Sequence, residues 1–278
     1  MHQLEYWNDY AGESWARNAG GLEGLNAALG ARALDVAAAQ PGEHVIDVGC
    51  GTGATTLALA EQVGPTGRVL GMDLSSPMIE VARQLRAEAG MRWVGFMEAD
   101  VETAALVADS FDLAFSRMCL MLLDDPVRGA RTIAGALRHG GRLVATTFRS
   151  AADNPWLPLV VMGAVPYLDG LPPLPLPGEP GPFAFADPAR PHHVFTEAGF
   201  VDVHVEPLDT VMKPDGAPED VAGLLIQLGP AGGSYLRAAE DRQAAARAGV
   251  LKLLAAYRDG DGQLSLPNGS WLITARRP

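Results

Sequence analysis

From His44 to Phe148, short apolar runs alternate with segments of helical periodicity, and no other feature of the chain restricts its fold as strongly. Strands are expected at His44–Val48, Arg68–Met72, Trp93–Met97, Phe111–Phe115 and Arg142–Phe148. A strand that returns through a helical crossover lies parallel to its predecessor, and successive right-handed crossovers wrap helices over both faces of the sheet. The expected class is therefore α/β, a doubly wound, mostly parallel, Rossmann-like sheet. Helix signals support it. Ser76-Pro77 gives a cap followed by Pro at the first helical position, with Met78, Val81, Ala82 and Leu85 on one face. Asp125-Pro126 repeats the device, with Val127, Ala130, Ala134 and Leu137 as its apolar stripe and Gly140-Gly141 as its stop. An amphipathic lead-in helix, with Leu25, Leu29, Ala33 and Val36 on one side, precedes the first strand and ends before Pro41-Gly42.

The alternation stops after Ser150. Leu171-Pro172-Pro173-Leu174-Pro175-Leu176-Pro177 excludes a helix or central strand, because each Pro removes a backbone donor, so a loop or extended cover is expected there. A helix resumes from Asp187-Pro188 to Ala198, then a strand with Val201, Val203 and Val205 on one face, and helical segments near Glu219–Leu228 and Tyr235–Tyr257. Trp271–Ala275 reads as a last strand, antiparallel at one edge of the sheet. The expected organisation is an N-terminal helical lid (1–43), a ligand-binding core (44–150), a cap insertion (151–187), a core continuation (188–212), a second cap insertion (213–262) and the final core strand (263–278).

Composition enters by exclusion. A formal charge of -12 with no run of Lys or Arg repels phosphate backbones and anionic headgroups, so neither nucleic acid nor a membrane surface is an expected partner. The longest apolar stretch, Trp156–Leu168, is too short and Pro-broken to span a bilayer. The start, Met1-His2-Gln3-Leu4-Glu5, lacks the basic and apolar regions of a secretion signal, and a cytoplasmic location is expected. Cys50 and Cys119, the two cysteines, have neither CxxC nor Cys/His spacing, so no metal site is expected.

The first expected strand ends in Asp47-Val48-Gly49-Cys50-Gly51-Thr52-Gly53 and opens a helix. Glycines at such a turn let peptide approach a ligand closely. Asp73, twenty residues past Gly53 and at the end of the second strand, is placed to accept both hydroxyl hydrogens of a ribose, so the ligand contains a nucleoside. Gly49-x-Gly51-x-x-Ala54 also satisfies the permissive dinucleotide pattern, so the glycines leave NAD open. Three features tilt the reading elsewhere. Asp47, within the strand, can reach the ammonium of a methionine moiety; Asp100 can accept from an adenine amino group while Val101 covers the ring; and a dehydrogenase core needs no closing antiparallel strand.

Together, Asp47-x-Gly49-x-Gly51-x-Gly53, Asp73-Leu74, Ala99-Asp100-Val101 and Phe111-Asp112 resemble the successive motifs of class I S-adenosylmethionine (SAM)-dependent methyltransferases, most of all the ubiquinone/menaquinone-biosynthesis type and its actinobacterial small-molecule relatives. The opening Tyr6-Trp7-Asn8 and Gly12-Glu13-Ser14-Trp15 is similar to a lead-in of that branch, whereas His139 departs from its usual Leu-Arg-Pro-Gly-Gly. The resemblance implies SAM as cofactor, held by Asp47, Gly49, Gly51, Gly53, Asp73, Leu74, Met78, Asp100, Val101, Ser116 and Arg117, and transfer of its methyl group to oxygen, nitrogen or carbon of a hydrophobic small molecule. Two alternatives stay open: a SAM-binding, non-methylating cyclase or regulator, and a nicotinamide-dependent oxidoreductase.

Tyr6, Trp7 and Trp15 are placed to form an aromatic lid over a sulfonium, or simply to pack the amino-terminal helix. Trp156, Tyr167 and Leu225 are candidates for an apolar acceptor pocket, or for ordinary core. Arg117 serves a ligand or pairs with a carboxylate, and His192 and His193 read as a solvated helix start rather than as bases. No catalytic residue is singled out, because in-line methyl transfer depends chiefly on positioning and exclusion of water.

Overall fold

The computed structural model describes residues 3–170, 175 and 178–278, so all of the Leu171–Pro177 stretch but Pro175 lies outside the described residues. The elements in chain order are α1 (Gln3–Asn8), α2 (Tyr10–Arg17), α3 (Ala19–Ala37), β1 (His44–Val48), α4 (Ala54–Val63), β2 (Arg68–Asp73), α5 (Ser76–Ala89), β3 (Val94–Glu98), β4 (Phe111–Arg117), α6 (Pro126–Ala136) and β5 (Leu137–Phe148). There follow α7 (Trp156–Ala164), α8 (Ala189–Glu197), β6 (Val201–Met212), α9 (Pro218–Leu228), α10 (Gly232–Arg237), α11 (Glu240–Leu253) and β7 (Leu266–Arg276).

The strands form one sheet in the order β3-β2-β1-β4-β5-β7-β6, parallel from β3 to β5, with β7 antiparallel to both β5 and β6. From β1 the chain winds outward through β2 and β3, then returns to β4 on the other side of β1. That reversal opens a crevice at the carboxyl ends of β1 and β4, where folds of this kind bind ligands. One sheet face carries α3 and α4, whose Leu29, Ala33, Ala37, Leu59 and Val63 bury Val45, Val69, Leu113, Phe115 and Val144. The other carries α6 and α8, with Ala130, Ile133, Val194 and Phe195 over Ile46, Ala114, Leu143 and Ile273.

A second apolar cluster unites α7 with α9, α10 and α11 through Trp156, Val160, Leu225, Ile226, Tyr235 and Val250. Helices α7 and α11 cross where glycine faces glycine: a Cβ on Gly163 would lie 2.6 Å from the Val250 Cα, and one on Gly249 would overlap the Gly163 carbonyl. Small residues there let two backbones meet, which longer side chains would prevent.

Three expectations are corrected. The last strand is antiparallel but interior, between β5 and β6, and the edge strand is β6. Leu137 belongs to β5 and pairs with Phe111 instead of finishing the helical stripe, because α6 stops at Ala136. The Val201, Val203, Val205 alternation breaks at its first member: a bulge between Val201 and His204, with Asp202 at φ +51°, turns Val201 outward while Val203 and Val205 pack on the core.

Candidate active site

The turn after β1 is fixed by backbone bonds from Gly49 N–H and Cys50 N–H to the Met72 carbonyl (2.8 and 3.1 Å), which lash it to the end of β2. Gly49, Gly51 and Gly53 have φ of +72°, +54° and +88°, the left-handed region that side chains disfavour. Their surroundings differ. A Cβ on Gly49 would overlap Cys119, and one on Gly53 would lie 2.9 Å from the Phe96 ring and 3.0 Å from Ala82. Beyond Gly51 the nearest atom is Met78 Sδ at 3.8 Å, so this glycine alone faces ligand-sized space within the turn. The glycines at 49 and 53 seat the turn against protein; the middle one presents bare peptide outward.

Asp73 closes the other side. Its Oδ2 accepts the Gly51 N–H at 2.8 Å and its Oδ1 accepts the Ser75 N–H at 2.9 Å. Burial pushes its carboxyl above the ordinary range, against the pull of these N–H bonds. The acid therefore stiffens both the glycine turn and the start of α5, and a carboxylate still has further lone-pair positions for a ribose diol. Capping and ligand binding are compatible uses of one side chain here.

Asp47 is 0% exposed, and Oδ2 accepts from the Thr55 and Thr56 hydroxyls at 2.7 Å each. Oδ1 is buried with no protein partner. Burial raises the carboxyl from 3.8 to about 6, while the two threonines and then Arg117 favour its charged form. An orphaned oxygen on a buried acid fits an incoming ammonium, which would complete its bonding. The pH dependence has a definite sign: a folded-state value above the unfolded one means that this group's stabilisation is full below about pH 4 and lost as pH rises through about 6. Asp47→Asn is accordingly expected to stabilise the unliganded fold by on the order of 1–3 kcal/mol at pH 8 and not at all below pH 4, read from denaturant unfolding at the two pH values.

The other candidate site residues are held as follows. Asp100 Oδ1 accepts the Glu102 N–H at 2.8 Å, and Val101 beside it is buried. Glu102 in turn accepts from the Asp124 and Asp125 N–H groups (2.7 and 3.1 Å) and ties the Asp100 turn to the loop after β4. Met78 is buried behind Gly51. Ser116 donates to the Val48 carbonyl at 2.8 Å, joining β4 to the glycine turn. Arg117 makes a two-pronged pair with Glu23 of α3 (2.9 and 2.6 Å), so its guanidinium is committed to a carboxylate. His193 pairs with Glu197 on the exposed side of α8.

Asn8, in the Tyr6-Trp7-Asn8 lead-in, takes a role only in the folded chain. Its Nδ2 donates to the Leu74 carbonyl (2.9 Å) and its Oδ1 accepts the Ser76 N–H (2.9 Å), clamping α1 onto the loop that carries Asp73. On the far side, Tyr10 and Ser14 donate to the Gln227 carbonyl (3.0 and 3.1 Å) and Trp15 to the Leu228 carbonyl (3.1 Å), satisfying the open end of α9. Between the two fastenings, Trp7 meets Tyr6 and Trp15 edge-on, both at 5.1 Å. The amino-terminal helices thus bridge the Asp73 loop and the α9 helix. Asn8→Ala is expected to weaken nucleoside binding roughly three- to tenfold, about the worth of one or two exposed hydrogen bonds, with little change in unfolding temperature; unchanged affinity in calorimetry would contradict the clamp.

The three candidates for the acceptor pocket separate. Trp156 (7% exposed) and Leu225 (4%) lie inside the α7–α11 cluster, whereas Tyr167 is 37% exposed beside Gly249. Among the described residues no group of three or more His, Cys, Asp or Glu is arranged to hold a metal, and no helix is long and apolar enough to cross a membrane.

A sheet of this order is that of the methyltransferase fold, and here it carries an acid-glycine turn after β1 and a tethered acid at the end of β2. Residues 39–165, a little under half of the chain, match the family model described as a methyltransferase domain. Over 132 residues it is 40% identical to the aklanonic acid methyltransferase DauC of a Streptomyces species, covering 47% of this chain and 60% of that protein. Over 123 residues it is 30% identical to the ubiquinone/menaquinone biosynthesis C-methyltransferase UbiE of Vibrio vulnificus, covering 44% and 47%. The matches thus span less than two thirds of these curated relatives. Phosphoethanolamine N-methyltransferase 2 of Haemonchus contortus, solved with phosphomonomethylethanolamine and S-adenosylhomocysteine, shares the fold with a TM-score of 0.61 at 15% identity, covering 98% of this chain and 60% of that one.

Proposed function

We propose that this chain binds SAM in the crevice between β1 and β4 and transfers its methyl group to a hydrophobic small molecule. One observation carries the reading: bare peptide at Gly51 faces open space between a buried acid with an unpartnered oxygen, Asp47, and a tethered acid with lone pairs to spare, Asp73. These residues fit an adenosyl sulfonium amino acid at both ends, ammonium on Asp47 and ribose on Asp73, with Asp100 and Val101 toward the adenine. The methyltransferase-domain match favours this ligand over a nicotinamide dinucleotide, which has no ammonium to offer Asp47.

When bound, SAM supplies an electrophilic methyl group on a sulfonium. The chain's own residues then hold and enclose. Asp73 fixes the sugar relative to the Gly51 peptide, Asp47 holds the amino-acid tail, and the amino-terminal helices with the α7–α11 cluster keep water from the reacting centre. Burial pushes both the Cys50 and Cys119 thiols well above their ordinary range, so neither supplies a thiolate nucleophile. The relatives are named for aklanonic acid and for ubiquinone/menaquinone biosynthesis, and the apolar cap suits an apolar acceptor of quinone type.

The test is a pH titration of affinity. SAM binding is expected to strengthen as pH rises through about 6, because Asp47 must be ionised to meet the ammonium. Asp47→Asn should flatten that rise. A wild-type affinity that is level across the same interval would sink the assignment of Asp47.

A further inference from the structure

The α3 face of the sheet carries a polar row that leads away from the proposed SAM crevice. Register places Asp47 beside Phe115 of β4. Two residues on, Arg117 lies opposite Thr146 of β5, and two further on, Phe148 lies opposite Ser270 of β7. Alternation puts Asp47, Arg117, Thr146, Ser270 and Asn268 on that one face. The row ends beneath the cap, where the Trp156 ring meets Phe148 edge-on at 6.3 Å.

Two N–H donors at this end have no protein acceptor. Asn268 is 1% exposed; its Oδ1 receives the Ser270 hydroxyl at 2.8 Å, and its Nδ2 is unpartnered. Trp156 is 7% exposed and its Nε1 is likewise unpartnered. Native interiors rarely strand buried donors, because each forfeits the hydrogen bond it had in water. Asn268 replaces what would be an apolar position in a strand whose neighbours Leu266 and Leu272 are buried on the same face. Trp156 stands in an otherwise apolar helix, WLPLVVMGA. The Asn268 Nδ2 and Trp156 Nε1 donors themselves bond to nothing in β7 or α7.

We infer that Asn268 and Trp156 form the oxygen-recognising end of the acceptor site, taking a carbonyl or carboxylate oxygen of an apolar substrate. The inference rests on the proposed methyltransferase reading and adds to it the polarity of the substrate and the residues that select it. Apolar walls come from Phe148 and from Leu225 of α9. Both donors are closed from solvent in this structure, so binding requires the cap cluster around them to open.

The experiment uses matched probes with the same rings, benzophenone, which accepts a hydrogen bond, and diphenylmethane, which cannot, titrated by calorimetry into the full chain saturated with S-adenosylhomocysteine. The wild type is expected to prefer benzophenone at least about tenfold, since a site with donors in place discriminates against a ligand that leaves them unpaired. Trp156→Phe and Asn268→Leu should each shrink the preference, and together reduce it to within about twofold, with S-adenosylhomocysteine affinity unchanged. Asn268→Asp, which puts an acceptor where the donor was, should turn the preference toward diphenylmethanol. Trp156→Phe removes only an unpaired donor, whereas Asn268→Leu also removes the acceptor of the buried Ser270 hydroxyl and is expected to lower the unfolding temperature, so the deciding readout is the probe preference, which a purely structural role would spare. A wild type that binds the two probes alike, or neither, overturns the inference, as do variants that keep the full preference. Loss of S-adenosylhomocysteine binding by the wild type would instead strike the methyltransferase reading itself.

Discussion

Asp73→Ala is expected to lower affinity for SAM and for S-adenosylhomocysteine by roughly a hundredfold or more, the largest binding effect of any single change in this chain. Two losses combine. The carboxylate that would accept the ribose diol is gone, and hydrogen bonds to a charged acceptor are worth about 1.5–3 kcal/mol each. The Gly51 and Ser75 N–H groups also lose their common anchor, so the glycine turn and the start of α5 are no longer held in register. Asp73→Asn separates the two contributions. An amide retains one oxygen for one of the N–H groups but offers an NH2 to the other, so an intermediate loss is expected. Stability should change less than binding, because burial already disfavours the Asp73 charge in the unliganded fold. Calorimetry of the three proteins against S-adenosylhomocysteine reads the order directly; equal affinities for wild type and Asp73→Ala would remove Asp73 from the site.

The second large effect concerns folding and distinguishes glycines that look alike in sequence. Gly49→Ala is expected to destabilise the protein by about 3 kcal/mol or more, because the new Cβ would both overlap Cys119 and occupy a left-handed backbone conformation. Gly51→Ala carries the backbone strain alone, about 1–2 kcal/mol, since its Cβ meets nothing nearer than Met78 Sδ at 3.8 Å. The order reverses for binding: Gly51→Ala places a methyl group in the ligand's space, whereas a folded fraction of Gly49→Ala keeps that space open. Denaturant unfolding paired with S-adenosylhomocysteine titration checks the crossover. A Gly49→Ala protein as stable as wild type would show that Cys119 yields more easily than close packing allows.

The same contrast shows how far sequence carries. The acid-glycine turn, Asp73 and the parallel strands from His44 to Phe148 were legible because each depends on local pattern: a period of two or of 3.6, a cap, a glycine where φ is positive. The position of β7 was not legible, since its insertion between β5 and β6 is a long-range choice that no local pattern records. Leu137 was misplaced for a related reason, as an apolar residue at a helix end fits the last turn or the first strand position equally well. Asn8 illustrates a third limit. Its two partners lie 66 and 68 residues away, so only the folded chain reveals that it clamps α1. The apolar residues of α7 and α9 were visible as such, yet hydrophobicity alone does not say whether a side chain lines a pocket or meets its neighbours. Here Trp156 and Leu225 are buried in the α7–α11 cluster, and the unpartnered polar atoms of Trp156 and Asn268 are what set this place apart from ordinary core.

The central claim, a crevice shaped for an adenosyl sulfonium, is tested most directly by titrating the wild-type chain with S-adenosylhomocysteine and, separately, with NADH at pH 8. Saturable binding of the first with no heat from the second is the predicted result. Binding of NADH in preference, or of neither compound, would contradict it.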